Sequence, residues 1–282
     1  MTAVRCFSKP AVRIIMTDIV NDIRCHLYSM MSNEHIEYYG VVPLSGCRII
    51  KNHLIERLDY TPTYVIMFLI PYYPGESQER IVSLYAVPRD YHIYIRELCG
   101  RLTDRLKGKF PEYGFDGYGD HSPIYEAHAA AIAGLGLLGD NGMLINEKYG
   151  SFVFLCGILT DIPFGDMSYM HEVKGCEHCG ACRAACPTGT LTGGGTCLSQ
   201  ITQTKGELTE ENKALMRRYN TAWGCDICQL VCPHNADPIK SPIPYFQTDL
   251  VYSPDVGCRI DDRAYNWKGQ AVIDRNIRII KG

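Results

Sequence analysis

Cysteine spacing constrains this chain more than any other feature. Eight of its 14 cysteines lie between Cys176 and Cys232, seven of them in two groups: Cys176-x2-Cys179-x2-Cys182-x3-Cys186-Pro187 and Cys225-x2-Cys228-x3-Cys232-Pro233. The first is the full run that serves two cubane iron–sulfur clusters, with three cysteines around one cube and the fourth, before proline, crossing to the other. Tight loops hold three thiolates at one cube, and the chain then leaves in a new direction. Ligand counting tests this reading. Cys176, Cys179 and Cys182 need one more ligand, and the crossing rule offers Cys232. Cys186, Cys225 and Cys228 also need one more, because the second group lacks its third CxxC cysteine, and Cys197 in the intervening loop can supply it. Structural zinc also uses CxxC pairs, but cysteines at i, i+3 and i+6 with a trailing Cys-Pro are not the usual zinc spacing. For Cys197 the alternative is a buried free thiol. Packing is the default reading for Cys6, Cys25, Cys47, Cys99, Cys156 and Cys258.

Two clusters mean one-electron transfer, either as a wire to another protein or as a relay to an internal site. Residues 1–165 are too long to be a cap on a small ferredoxin, which favours the relay. The 282 residues suffice for one large domain or a medium one plus a small one. A formal charge of -3 argues against a strongly basic nucleic-acid binder. No window reaches the ~18 apolar residues of a membrane helix, and no secretory signal is read at the start. A cytoplasmic location is expected, where so many cysteines hold metal rather than disulfides. Residues ahead of Met16 read as an upstream extension.

Hydrophobic periodicity predicts helices over Met16–Met31, His53–Leu58, Tyr91–Gly108, Ile124–Ile132 and Glu210–Tyr219. Tyr64–Ile70 predicts a strand covered on both faces. Tyr38–Leu44, Asn141–Ile145 and Ser151–Leu159 also read as strands. The fold class expected is α/β (α+β): a first domain, residues 1–165, built on a mixed sheet, then a ferredoxin-like domain, 166–245, holding two 4Fe-4S clusters. The tail, 246–282, should pack back on the body. The letters Gly134, Gly136 and Gly139 fit a dinucleotide fingerprint, but they follow a helix rather than a strand, so they predict a tight turn or a close backbone approach.

Beyond the cysteines, five segments carry a family resemblance. Ser83–His92 (SLYAVPRDYH) resembles a tyrosine-alanine-then-DYH segment, and Asp120–Glu126 (DHSPIYE) a D-S-x-P-V-x-E segment. Ala133–Asn141 (AGLGLLGDN) resembles A-G-L-G-W-x-G-K-N. Cys197–Gly206 (CLSQITQTKG) and Trp223–Gln229 (WGCDICQ) match the inter-motif loop and the start of the second motif. From about residue 16 to its end the chain is similar to the epoxyqueuosine reductases, cobalamin-dependent iron–sulfur enzymes related to reductive dehalogenases.

That resemblance implies an oxidoreductase of queuosine biosynthesis and tRNA processing. It implies a corrinoid-binding first domain and reduction of epoxyqueuosine to queuosine in tRNA, fed by an external low-potential electron donor. It carries the proton donor onto Asp120 and corrinoid contacts onto Asp120, Asn141, Leu144, Thr204, Cys225 and Asp226. The cluster of Cys186, Cys197, Cys225 and Cys228 becomes the one nearest cobalt. A carboxyl there could stay protonated through burial; read alone, Asp120 is a turn or helix-cap residue. His92, His121 and His128 read as pocket or surface residues, so no side chain is expected on the lower face of cobalt. The resemblance is to a short form, ending without the C-terminal helical repeats that help longer relatives hold tRNA. Leu137, Asp140 and Ala127 stand where the family has tryptophan, lysine and often arginine. A monomer is expected, with no membrane contact. The competing readings are a corrinoid reductase of a small molecule and a ferredoxin-like electron carrier.

Overall fold

A computed structural model of the protein describes residues 10–165 and 168–282, with side chains from residue 20 onward. Cys6 and most of the expected upstream extension lie outside the described residues. The first helix, α1 (Pro10–Asn33), turns Ile23, Leu27 and Met30 into the core. Cys25, expected to be buried, is exposed because it falls off that stripe.

Strand β1 (Tyr39–Pro43) pairs with β2 (Tyr64–Pro71), after a one-turn helix α2 (Asn52–Ile55). Helix α3 (Tyr91–Lys109) then leads to strand β3 (Phe115–Gly119), and helix α4 (Glu126–Ile132) to the two-residue strands β4 (Leu137–Leu138) and β5 (Leu144–Ile145). Strand β6 (Val153–Thr160) completes a four-stranded sheet of order β1-β2-β6-β3. Helix and strand do mix here, but the sheet is antiparallel throughout, not mixed. Parallel pairing requires crossovers that restore strand direction, and alternating helix and strand texture carries no information about direction.

β2 is buried on both faces, as its composition requires. Ile66, Phe68 and Ile70 meet the apolar sides of α1 and α3, while Val65, Met67 and Leu69 meet the alanines of α4. Two expected elements are shorter than their patterns. α4 starts at Glu126 because Ile124 bridges Ile49 and the Tyr125 N–H goes to the Arg48 carbonyl. The expected strand 141–145 shrinks to Leu144–Ile145 because residues 139–143 form a closed turn, with Gly142 at φ +80.

The cysteine region is built from short helices, α5 (Ala181–Ala185), α6 (Leu198–Thr202) and α8 (Ile227–Leu230), with the longer α7 (Glu210–Arg218) between the cysteine groups. α7 is capped by Thr209 and carries acids in its first turn and arginines in its last, all favourable to the helix dipole. A buried polar staple joins this region to β6. Gln229 Oε1 accepts from Ser151 Oγ (2.9 Å), and Asn235 Nδ2 donates to Ser151 Oγ and to the Gln229 carbonyl (both 2.8 Å). The chain ends in a further helix. Helix α9 (Gln270–Lys281) buries Val272, Ile273 and Ile277 beside Trp223, and Asn276 donates to the Thr202 and Ala222 carbonyls.

Candidate active site

The eight clustered cysteines fall into two sets in space. Burial pushes the Cys232 thiol above its ordinary value, and neighbouring Cys179, Cys182 and Cys176 push the same way; these four line one small cavity. Burial likewise raises Cys225 and Cys228, with Cys197 and Cys186 beside the first and Cys225 and Cys197 beside the second. Those four line a second, much larger cavity. None of the eight is in a disulfide. Cys186 thus lies with Cys225 and Cys228, Cys232 with Cys176, Cys179 and Cys182, and Cys197 at the larger cavity. Four thiols around each cavity are the donor set a cubane cluster takes.

The larger cavity measures about 1500 Å³ including its open mouth. Tyr72, Leu144, Val153, Phe154 and Leu191 give it apolar walls, and Asn141 sits within hydrogen-bonding reach of the Cys228 thiol. Such a cavity has room for a flat macrocycle beside the thiols.

Asp120 lies at the rim of the same cavity, just beyond β3. It is no helix cap: α4 begins six residues on, with Tyr125 in the cap position. Its φ of +68 is a left-handed conformation that few residues other than glycine adopt, held here by the Asp120 N–H donating to Glu126 Oε1 (3.1 Å). Asp120 Oδ2 accepts from the Tyr91 hydroxyl and from His92 Nε2, both at 3.0 Å. The start of α3 aims these groups. Asp90 caps the helix by accepting from the His92 N–H, and its same oxygen holds His92 Nδ1 at 2.7 Å. Tyr91 stacks between the His92 ring and Phe154, with centroids at 3.9 and 4.2 Å.

The charges follow from this geometry. Hydrogen bonding to His92 draws the Asp120 carboxyl below its usual range; burial opposes, and Tyr91 adds to the fall. Burial pulls His92 down, but its bonds to Asp120 and Asp90 raise it to about 9. At neutral pH the pair is therefore carboxylate and imidazolium, and the proton sits on the ring. A carboxyl kept neutral by burial does exist, but it is Glu126: burial, then the charge of Asp120, lifts it to about 8.

The expected contact residues divide. Asp120, Asn141, Leu144 and Cys225 all line the large cavity. Asp226 does not: its buried carboxylate accepts from Arg80 Nη1 (2.7 Å), the Ser83 hydroxyl and the Leu84 N–H (2.8 Å). It pins the Cys225–Cys228 loop to the segment before α3. Thr204 lies on a neighbouring surface groove, with its hydroxyl on the Gln200 carbonyl. Of the fingerprint-like glycines Gly134, Gly136 and Gly139, none lines the large cavity. Gly136 lets the backbone pass the Ile145 carbonyl, which a Cβ would meet at 2.3 Å. Asp140 pairs with His178 (2.8 Å) and Arg183 (3.3 Å) beside Cys176, away from the large cavity, whereas Ala127 lines it.

Tyr91, His92 and Glu126 all bond to Asp120, though residue-by-residue reading left them without a role. Their signal lay in the DYH and DHSPIYE segments, whose acidic, aromatic and imidazole side chains the fold brings together.

Comparison with known proteins places this architecture. Residues 175–235 match the 4Fe-4S double cluster binding domain. Solved epoxyqueuosine reductases share the fold. One from Streptococcus thermophilus superposes with a TM-score of 0.76 at 23% identity, over 92% of this chain and 80% of that one. Another, solved with an epoxyqueuosine-modified tRNA-Tyr stem loop, gives 0.77 at 23%, over 92% and 81%. In sequence, the epoxyqueuosine reductase of Leadbetterella byssophila is 35% identical over 66% of this chain and 64% of its own length, and that of Escherichia coli K12 is 38% identical over 55% and 41%. The chain thus spans under two thirds of both. The epoxyqueuosine reductase of Cellulophaga algicola is 32% identical over 217 residues, 69% of each chain, and this protein belongs to the epoxyqueuosine reductase family.

Proposed function

We propose that this chain is a cobalamin-dependent iron–sulfur reductase that converts epoxyqueuosine to queuosine in tRNA. One observation carries the reading: a single cavity is lined both by the thiols of Cys186, Cys197, Cys225 and Cys228 and by Asp120 with its imidazolium partner. Cys176, Cys179, Cys182 and Cys232 would hold the outer cluster, which takes electrons from a low-potential donor. Residues 1–165 would form most of the reaction chamber, 166–245 the electron path, and 246–282 the brace behind it. Asn141, Leu144 and Cys225 are the corrinoid contacts this geometry favours.

Deoxygenation of an epoxide takes two electrons and two protons; the oxygen leaves as water and a carbon–carbon double bond forms. Bound corrinoid and clusters would supply the electrons one at a time. The chain's own residues govern the protons. Asp120 at the rim accepts from His92 and Tyr91, so a proton can pass from His92 Nε2 through Asp120 Oδ2 to an oxygen seated against it. Asp90 keeps the ring oriented and favours its charged form. Phe154 and Tyr72 give the inner wall an aromatic face.

Anaerobic reconstitution with iron, sulfide and cobalamin, followed by incubation with an epoxyqueuosine-containing anticodon stem loop and a strong reductant, tests the proposal. Loss of one oxygen from the nucleoside supports it. Reducible corrinoid without conversion would redirect the search to small electrophiles. Failure to bind any corrinoid would favour an electron carrier.

A further inference from the structure

Next to the large cavity runs an open groove. Cys197 and Ser199 line both, so the two are continuous at the thiol held between the cysteine groups. On its far side stands Trp267, 60% exposed, in a chain whose only other tryptophan, Trp223, is fully buried. A bare indole of this size on a surface is unusual, and this one carries a cation: Lys268 Nζ lies 3.8 Å from the ring centroid. The exposed Lys205 adds a second positive charge, and Gln200 and Gln203 add amides.

The groove is built rather than incidental. Trp267 sits in a one-turn helix that ends at Gly269, whose φ of +91 starts α9. From α9, Arg275 donates to the Thr204 carbonyl (2.9 Å) and to the Gly206 carbonyl, fixing the loop that presents Lys205. One helix therefore sets the positions of the indole and of both lysines. An aromatic face, flanking cations and side-chain amides are what unpaired nucleotides are recognised by: bases stack on the ring, cations meet the phosphates, and amides read base edges.

We infer that Trp267 is a stacking platform for an unpaired base of the RNA loop that delivers the modified nucleotide into the neighbouring cavity. The inference rests on the reductase reading for the identity of that RNA. It makes Trp267 a positioning residue, not a catalytic one, and Lys268 and Lys205 its phosphate contacts. Overall charge is -3, so RNA affinity must come from such a local site.

The test measures affinity and turnover separately on the reconstituted protein. A fluorescein-labelled anticodon stem loop is titrated by anisotropy against wild type, Trp267→Ala and Trp267→Phe. The expected result is affinity weakened about tenfold in Trp267→Ala, largely retained in Trp267→Phe, and turnover at saturating RNA unchanged. Wild-type binding without turnover, still lost in Trp267→Ala, would sustain this inference while sinking the reductase reading. Equal affinity in wild type and Trp267→Ala overturns it, as does wild type that fails to bind the stem loop. Unchanged RNA binding with slower reduction by a flavodoxin donor, but normal reduction by dithionite, would also overturn it and reassign the groove to electron delivery.

Discussion

His92 Nε2 lies 3.0 Å from Asp120 Oδ2, and the ring's other nitrogen is held at 2.7 Å by Asp90. The imidazole thus bridges a helix-capping carboxylate and the carboxylate at the cavity rim. The bridge reverses the protonation expected from burial alone, since Asp120 is drawn down and His92 is raised to about 9.

A pH profile follows. If the delivered proton starts on His92, turnover holds across neutral pH and falls as pH rises through about 9. His92→Gln should lower kcat by roughly 10²-fold or more and abolish that alkaline limb, with iron and corrinoid content intact. Stability has the same sign. A histidine raised on folding contributes stability that is fully present below about pH 6.5 and is lost as pH climbs through 9. An unchanged alkaline limb in His92→Gln would remove His92 from the proton path.

Glu126 gives the opposite lesson about burial. Its carboxyl is raised from 4.5 to about 8 on folding, so the folded chain binds more protons than the unfolded one between those values. Stability should therefore decline from pH 4.5 toward 8. Glu126→Gln keeps an acceptor for the Asp120 N–H and should flatten that decline, as urea unfolding at several pH values would reveal.

Asp226 was an expected corrinoid contact, yet its oxygens are fully engaged by Arg80, Ser83 and Leu84. Asp226→Ala takes from Arg80 its buried carboxylate partner, leaving it Glu76 and the Val82 carbonyl, and leaves the Leu84 N–H without an acceptor; it should cost about 3 kcal/mol. The Cys225–Cys228 loop should loosen first. Thermal melts and iron content read both effects, and a variant of normal stability that had lost only corrinoid would instead favour direct contact.

Cys197 offers a count. Cys197→Ala should remove one cluster and roughly halve the iron per chain. Cys258→Ala, away from both cavities, should leave iron unchanged. Full iron in Cys197→Ala would contradict the proposed ligand set.

What the sequence disclosed, and what it withheld, divides along physical lines. Tyr64–Ile70 was legible because a strand buried on both faces must be apolar at every position. The cysteine sets were legible because a cube's geometry restricts spacing. Strand direction was not, since nothing in the composition of β3 or β6 records it. Cys25 misled because a small residue beside an apolar stripe packs only if the helix phase allows. Asp120 was placed by resemblance, but its ionised state was hidden: it depends on His92, 28 residues earlier, reaching it through the fold. Asp226 matched a motif whose sequence cannot say which way a buried carboxylate turns.

The most direct measurement is mass analysis of an epoxyqueuosine stem loop after reduction by the reconstituted, cobalamin-loaded protein, beside Asp120→Asn prepared in the same way. The account predicts loss of one oxygen with wild type and a rate lower by roughly 10²-fold or more with Asp120→Asn, at equal iron and corrinoid content. Intact epoxyqueuosine with fully loaded wild type, or equal rates for both proteins, would contradict it.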